Sequence, residues 1–269
     1  MRLRIVKHSP AYWQVTIDNP PLNLMDPEMV DELALLTDEL ERDKDIKVVV
    51  FDSADPDYFM AHIDLLRAGE FDLSPKASGL SGWPDVARRF ELAPFVTIGL
   101  VRGRARGVGS EFLQALDVRF ASKEKTKLAQ VEVGCGLIPG GGGLERLPRL
   151  IGRGRALEVI LGSDDFDADT AALYGWVNRS IPDAELDGFV DRFAKRIANF
   201  ERHALIAAKQ TIYKRLGLAT IEEFKETQAI FFQAISLPGT QARIKDVMER
   251  GFQQPGDFEL EMGKHLGPQ

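Results

Sequence analysis

Two glutamates, Glu111 and Glu132, each lie close to a glycine-rich turn, in the stretches Gly107-Val108-Gly109-Ser110-Glu111 and Gln130-Val131-Glu132. A further glycine turn, Pro139-Gly140-Gly141-Gly142-Gly143, follows them. Glycine lets backbone come close to a ligand. Two carboxyl groups converging on one pocket can hold a water between them, one taking its proton while the other moves a proton elsewhere on the substrate. In a poorly solvated site one of them has a raised pKa, and the two titrate as a pair. The plain alternatives are that Glu111 caps a helix and that Glu132 pairs with an arginine.

Several elements must position these residues. Leu3 to His8 and Tyr12 to Asp18 alternate as strands around Ser9-Pro10, which predicts an opening hairpin. Asp26-Pro27-Glu28 combines an N-cap, a first-turn proline and an early acid. Met29, Val30, Leu33, Leu36 and Leu40 then recur at helical spacing, so a helix is expected to run to about Arg42. Lys47 to Asp52 and Phe95 to Val101 are short β-branched runs typical of strands buried on both faces, with Asp117 to Ala121 a third. This alternation favours an α/β layout with parallel strands. Glu70 to Pro84 mixes Gly, Ser, Pro and Asp without a period and reads as a mobile excursion near a ligand entrance. From Gly143 onward helical signals dominate, in seven segments between Leu144 and Arg250.

The 269 residues suffice for a substantial core, and 44% hydrophobic with 28% charged residues is an ordinary globular composition. A net charge of −7 argues against a nucleic-acid partner. Arg102, Arg104 and Arg106 alternate, and Arg146, Arg149, Arg153 and Arg155 cluster, pointing either to a small anionic ligand or to solvated faces. The single cysteine, Cys135, allows no internal disulfide, and no Cys/His spacing suits a metal. The first residues lack a signal-peptide core and no apolar run reaches the roughly 18 residues that span a bilayer, so the expected location is cytoplasmic, without a membrane partner.

The order of the motifs resembles the crotonase, or enoyl-CoA hydratase/isomerase, superfamily along nearly the whole chain. The residues that carry it are Pro20-Pro21-Leu22-Asn23-Leu24-Met25-Asp26, Phe59-Met60-Ala61-His62-Ile63-Asp64-Leu65, Gly107 to Glu111 with Asp117 to Ser122, Gln130 to Gly134, and Leu137 to Gly143 with Arg146 to Gly152 behind it. The resemblance implies an α/β fold, a spiral of repeated β-β-α units over residues 1–200, and a C-terminal helical trimerisation region over 201–269. It implies a homotrimer or a dimer of trimers. It also implies an acyl-CoA thioester substrate, coenzyme A being part of the substrate, and no other cofactor and no metal. The backbone N–H groups of Ile63 and Val108, the latter just before a helix starting near Ser110, would form an oxyanion hole. Glu111 would activate water and Glu132 would protonate Cα. Pro21, Leu22, Ala61, His62, Asp64, Leu65, Gly107, Val131 and Gly140 fall on the positions that bind substrate and CoA.

Two departures stand out. His62 and Val108 replace family glycines, with the options that His62 narrows the acyl pocket, alters the loop, adds a titrating group, or simply packs. Gln241-Ala242-Arg243 and Arg250 to Pro255 match the elements that close over the CoA nucleotide only loosely. The leading reading is hydration of an enoyl-CoA. The alternatives are another reaction of the superfamily (isomerase, hydrolase or decarboxylase) and a non-catalytic acyl-CoA-binding scaffold. RNA binding conflicts with the acidic charge. A dinucleotide-binding dehydrogenase is disfavoured because Pro139 to Gly143 lacks the Gly-x-Gly-x-x-Gly placement.

Overall fold

The computed structural model describes residues 1–267; the last two residues of the expected 201–269 region lie outside the described residues. The opening hairpin forms as expected, β1 (Leu3–Ser9) against β2 (Tyr12–Ile17), and α1 (Pro27–Arg42) starts where the cap signal lies, with the Asp26 carboxylate accepting from Met29 N–H.

The chain then winds in repeated turns, each giving one strand to a large sheet, one short strand to a small sheet, and then a helix. The first turn is β3 (Val48–Ser53), β4 (Tyr58–Met60) and α2 (Gly82–Leu92). The second is β5 (Val96–Val101), β6 (Arg104–Arg106) and α3 (Val108–Ala115). The third is β7 (Val118–Ser122) and β8 (Lys127–Ala129), closed by a 3₁₀ turn at Val133–Cys135 and α4 (Gly143–Ile151). Next come α5 (Arg153–Gly162), β9 (Phe166–Asp167), α6 (Ala168–Tyr174), β10 (Arg179–Ile181) and α7 (Asp183–Ala198). The large sheet has the order β1-β2-β3-β5-β7-β10, parallel from β2 onward, and the small one β4-β6-β8-β9. This is the predicted spiral of β-β-α units.

The β-branched run of β3 explains why two cores exist. Val49 and Phe51 pack toward α1, α2 and α3, whereas Val48 and Val50 face the other way, beneath Leu186, Val190, Ala194 and Ile197 of α7. The remaining helices are α8 (Arg202–Leu216), α9 (Ile221–Ile235), α10 (Pro238–Glu249), α11 (Asp257–Leu260) and α12 (Met262–Leu266). The end of this region folds back on the small sheet, where Val247, Phe252, Phe258, Met262 and Leu266 cluster with Ala129, Val131 and Cys135.

Three sequence expectations change. Residues 70–84 are not wholly irregular, since α2 begins at Gly82. Helix α3 starts at Val108, two residues before the expected Ser110, because Gly107 with φ +50° already turns the chain into it. All the arginines of the two sets except the exposed Arg153 are committed within the protein. Arg102 pairs with Asp183 and Asp187, the fully buried Arg106 with Asp165, Arg146 with Glu91, and Arg149 with Glu223. Arg104 donates to the Leu260 carbonyl and Arg155 to that of Tyr174.

One contact sets the distance between the second turn and the first. A Cβ on Gly109 would stand 2.1 Å from the Met60 carbonyl oxygen, so only glycine lets the start of α3 lie on β4. Gly109→Ala must push them apart. We expect a loss of about 1–3 kcal/mol, or about 2–4 °C in Tm for each kcal/mol in a chain of this size, read by thermal unfolding.

Candidate active site

Behind the Met60 contact, the chain runs Ala61-His62-Ile63-Asp64 alongside Leu22 to Met25. Ala61 N–H donates to Leu22 O, Met25 N–H to His62 O, and Asp64 N–H to Met25 O. Met25 and Ile63 thus form a parallel bridge, which turns the Ile63 N–H to the side away from Met25. Val108 is the first residue of α3, whose leading N–H groups have no acceptor within the helix. Among the described residues neither the Ile63 nor the Val108 N–H donates to a protein acceptor, and both residues line the same cavity of about 380 Å³.

Glu111 and Glu132 line that cavity too. Glu111 sits in the first turn of α3, 2% exposed, and its Oε1 accepts from Gly141 N–H at 3.0 Å and Gly143 N–H at 2.9 Å. The helix-capping alternative is therefore realised in part, since Gly143 opens α4. The fit is close: a Cβ on Gly141 would stand 2.1 Å from Glu111 Oε2. Burial pushes the Glu111 carboxyl up to about 7, against the pull of the two glycine N–H groups and with a further push from Glu145.

Glu132 follows β8, and its carbonyl accepts from Leu137 N–H at 2.8 Å, which fixes the turn. A Cβ on Gly107 would meet Glu132 Oε1 at 3.0 Å, so the carboxyl lies over the entry to α3. Its only side-chain hydrogen bonds among the described residues come from Gln130 Nε2, at 3.3 Å to each oxygen, and no arginine pairs with it. Gln130 is in turn held by Gln114 at 3.0 Å. Glu132 is partly buried in the cavity wall, and desolvation raises its pKa well above the ordinary carboxylate range, with the Glu111 charge adding to the rise.

The remaining expected site residues divide in two. His62, Leu65, Gly107, Val131 and Gly140 line the cavity. Pro21, Leu22, Ala61 and Asp64 do not. Leu22 and Ala61 pack in a small cluster with Tyr58 behind the loop, Pro21 follows a cis peptide in the exposed turn, and Asp64 accepts from Leu66 and Arg67 N–H. The sequence reading missed most of the apolar wall. Phe71, Trp83 and Phe252 contribute to it, and so do Gln228, Phe231, Phe232 and Ile235, which recur at i, i+3, i+4 and i+7 on α9. That period was visible in the sequence, but nothing local said what the stripe would face. Cys135 also lines the cavity, its thiol pushed up to about 12 by burial and by the Glu132 charge, so it is an apolar filler rather than a nucleophile.

Residues 8–252 match the family model described as enoyl-CoA hydratase/isomerase. The chain is 32% identical over 200 residues to the short-chain-enoyl-CoA hydratase of Clostridium acetobutylicum, covering 74% of this chain and 76% of that protein. It is 33% identical over 187 residues to the fatty acid oxidation complex subunit alpha of Aliivibrio fischeri, of which it spans only 27% against 68% of itself. Among solved structures it is similar to a Streptomyces avermitilis protein that carries a provisional enoyl-CoA hydratase name. The TM-score there is 0.94 at 43% identity, over 100% of this chain and 97% of that one.

The geometry of Glu111 predicts a pH-dependent stability. Its pKa rises on folding, so the stability it contributes is whole below about 4.5 and is lost as pH climbs toward about 7. Glu111→Gln lacks this loss. The Tm difference, variant minus wild type, is expected to grow between these pH values and to level off above them in thermal melts across pH.

Proposed function

Because the chain belongs to the enoyl-CoA hydratase/isomerase family, we propose that it is a hydratase, adding water across the 2,3 double bond of an enoyl-CoA thioester to give a 3-hydroxyacyl-CoA. The observation that carries this reading is the asymmetry of the two buried carboxyls. Glu111 receives two backbone N–H groups, which favour its carboxylate form, whereas Glu132 has one amide at 3.3 Å and keeps its proton to higher pH. A base and an acid thus coexist near neutral pH.

In the proposed mechanism a water held between them gives a proton to Glu111 as its oxygen bonds to Cβ. The π electrons of the double bond move through Cα onto the thioester oxygen, which the N–H groups of Ile63 and Val108 receive. The enolate then collapses as Glu132 delivers its proton to Cα. The N-terminal field of α3 adds to the stabilisation of the oxyanion. CoA enters as part of the substrate, and the reaction needs no metal and no further cofactor. The rings of Phe71, Trp83 and Phe231 suit a hydrocarbon acyl chain. We further assign the exposed apolar residues of α8 and α9, Ile212, Leu216 and Ile230, to contacts between copies in a trimer or a dimer of trimers, in the cytoplasm.

The test is loss of the conjugated-thioester absorbance with crotonyl-CoA and longer enoyl-CoAs. Glu111→Gln and Glu132→Gln should each lower kcat by about 10²–10⁴; a wild type no faster than both variants on every chain length sinks the proposal. The pH profile of kcat/KM should have an acid limb near 7, where Glu111 ionises, and an alkaline limb where Glu132 loses its proton. Light scattering coupled to size-exclusion chromatography should give the mass of three or six copies.

A further inference from the structure

The loop that carries the Ile63 N–H is tied to a distant part of the chain, residues 252–259, by a set of polar and stacking contacts. His62 Nε2 lies 2.9 Å from Glu259 Oε1, and Nδ1 lies 2.9 Å from the Ile63 carbonyl oxygen. The imidazole stacks on the Phe252 ring with centroids 4.1 Å apart and planes 12° from parallel. Gln253 completes the tie with three hydrogen bonds of 2.7 Å: its Oε1 accepts from Leu65 N–H, its Nε2 donates to Asp64, and its own N–H donates to Glu259 Oε1. Gln253 holds this position at φ +62°, a conformation that a non-glycine residue keeps only where its surroundings enforce it.

The two nitrogens of His62 face the Ile63 carbonyl and the Glu259 carboxyl. Both side chains lie out of water, His62 2% and Glu259 0% exposed, so the hydrogen bond between them is shielded from competing solvent. His62 thus stands in the wall as one half of a buried hydrogen-bonded pair. The peptide before Ile63 is fixed by Met25 N–H on the His62 carbonyl, and the peptide after it by the His62 ring on the Ile63 carbonyl. The Ile63 N–H between them has little freedom left.

We propose that His62, oriented by Glu259 and Phe252, is a positioning residue that aims the Ile63 N–H at the thioester oxygen. The proposal rests on the reading of Ile63 as an oxyanion donor. A donor misplaced by about 1 Å can lose about 10² in rate while the substrate still binds, so the effect falls on kcat.

The test compares wild type, His62→Ala, Glu259→Gln and the double variant, with Glu111→Gln as a control. Glu259→Gln keeps the shape and the oxygen acceptor and removes only the charge. Turnover of the best enoyl-CoA should fall about 10- to 100-fold in kcat, with KM within about 3-fold, and the double variant should be no worse than His62→Ala. Bound cinnamoyl-CoA reports carbonyl polarisation as a red shift of its absorbance in folded protein. That shift should shrink in the His62 and Glu259 variants and persist in Glu111→Gln. A full red shift in both variants, or a rise in KM at unchanged kcat, overturns the role of His62 while leaving the oxyanion reading standing. No red shift in wild type overturns both.

Discussion

Placing Glu111 beside Glu132 in a poorly solvated cavity opposes folding at neutral pH, because each carboxyl is deprived of water and each charge penalises the other. The site is arranged around that opposition. Two glycine N–H groups stabilise Glu111 as an anion without adding a cation that would quench it as a base, and nearby arginines are committed elsewhere, Arg146 to Glu91 and Arg106 to Asp165. Spiral packing supplies the rest of the resistance. With Gly109 on the Met60 carbonyl and the two sheets locked turn against turn, the carboxyls cannot move apart without breaking contacts in the core.

Legibility from the sequence followed the length of the signal. Helix α1, with its Asp26-Pro27 cap and five apolar residues at helical spacing, was readable to within a residue. The small sheet was not. Its strands β4, β6 and β8 have three residues each, too few to show alternation, and Arg104-Ala105-Arg106 looked like a charged patch until Arg106 was seen buried in its ion pair. Helix α2 was hidden because Gly82-Trp83-Pro84 reads as a turn, although proline is compatible with a helix's first turn.

The candidate site divides in the same way. Glu111, Glu132, Ile63 and Val108 could be named from motif order, because each stands in a short stretch whose residues meet locally. Trp83 and Phe231 on the cavity, and Glu259 behind its His62 wall, could not, since what brings them there is the winding of the whole chain. His62 illustrates the difference. Its type and place were plain, but its partner lies 197 residues away, and only the fold tells a clamp from a pocket-filler.

That separation has a consequence for how the protein comes into being. A ribosome has made both Glu111 and Glu132 by residue 132, yet Phe252, Gln253 and Glu259, which back the loop at Ile63, are more than a hundred residues from emerging. The turns that carry the two carboxyls are therefore complete in the nascent chain well before the backing for the loop exists. The backing of the loop, like the Phe231 and Phe252 part of the cavity wall, arrives only late in synthesis.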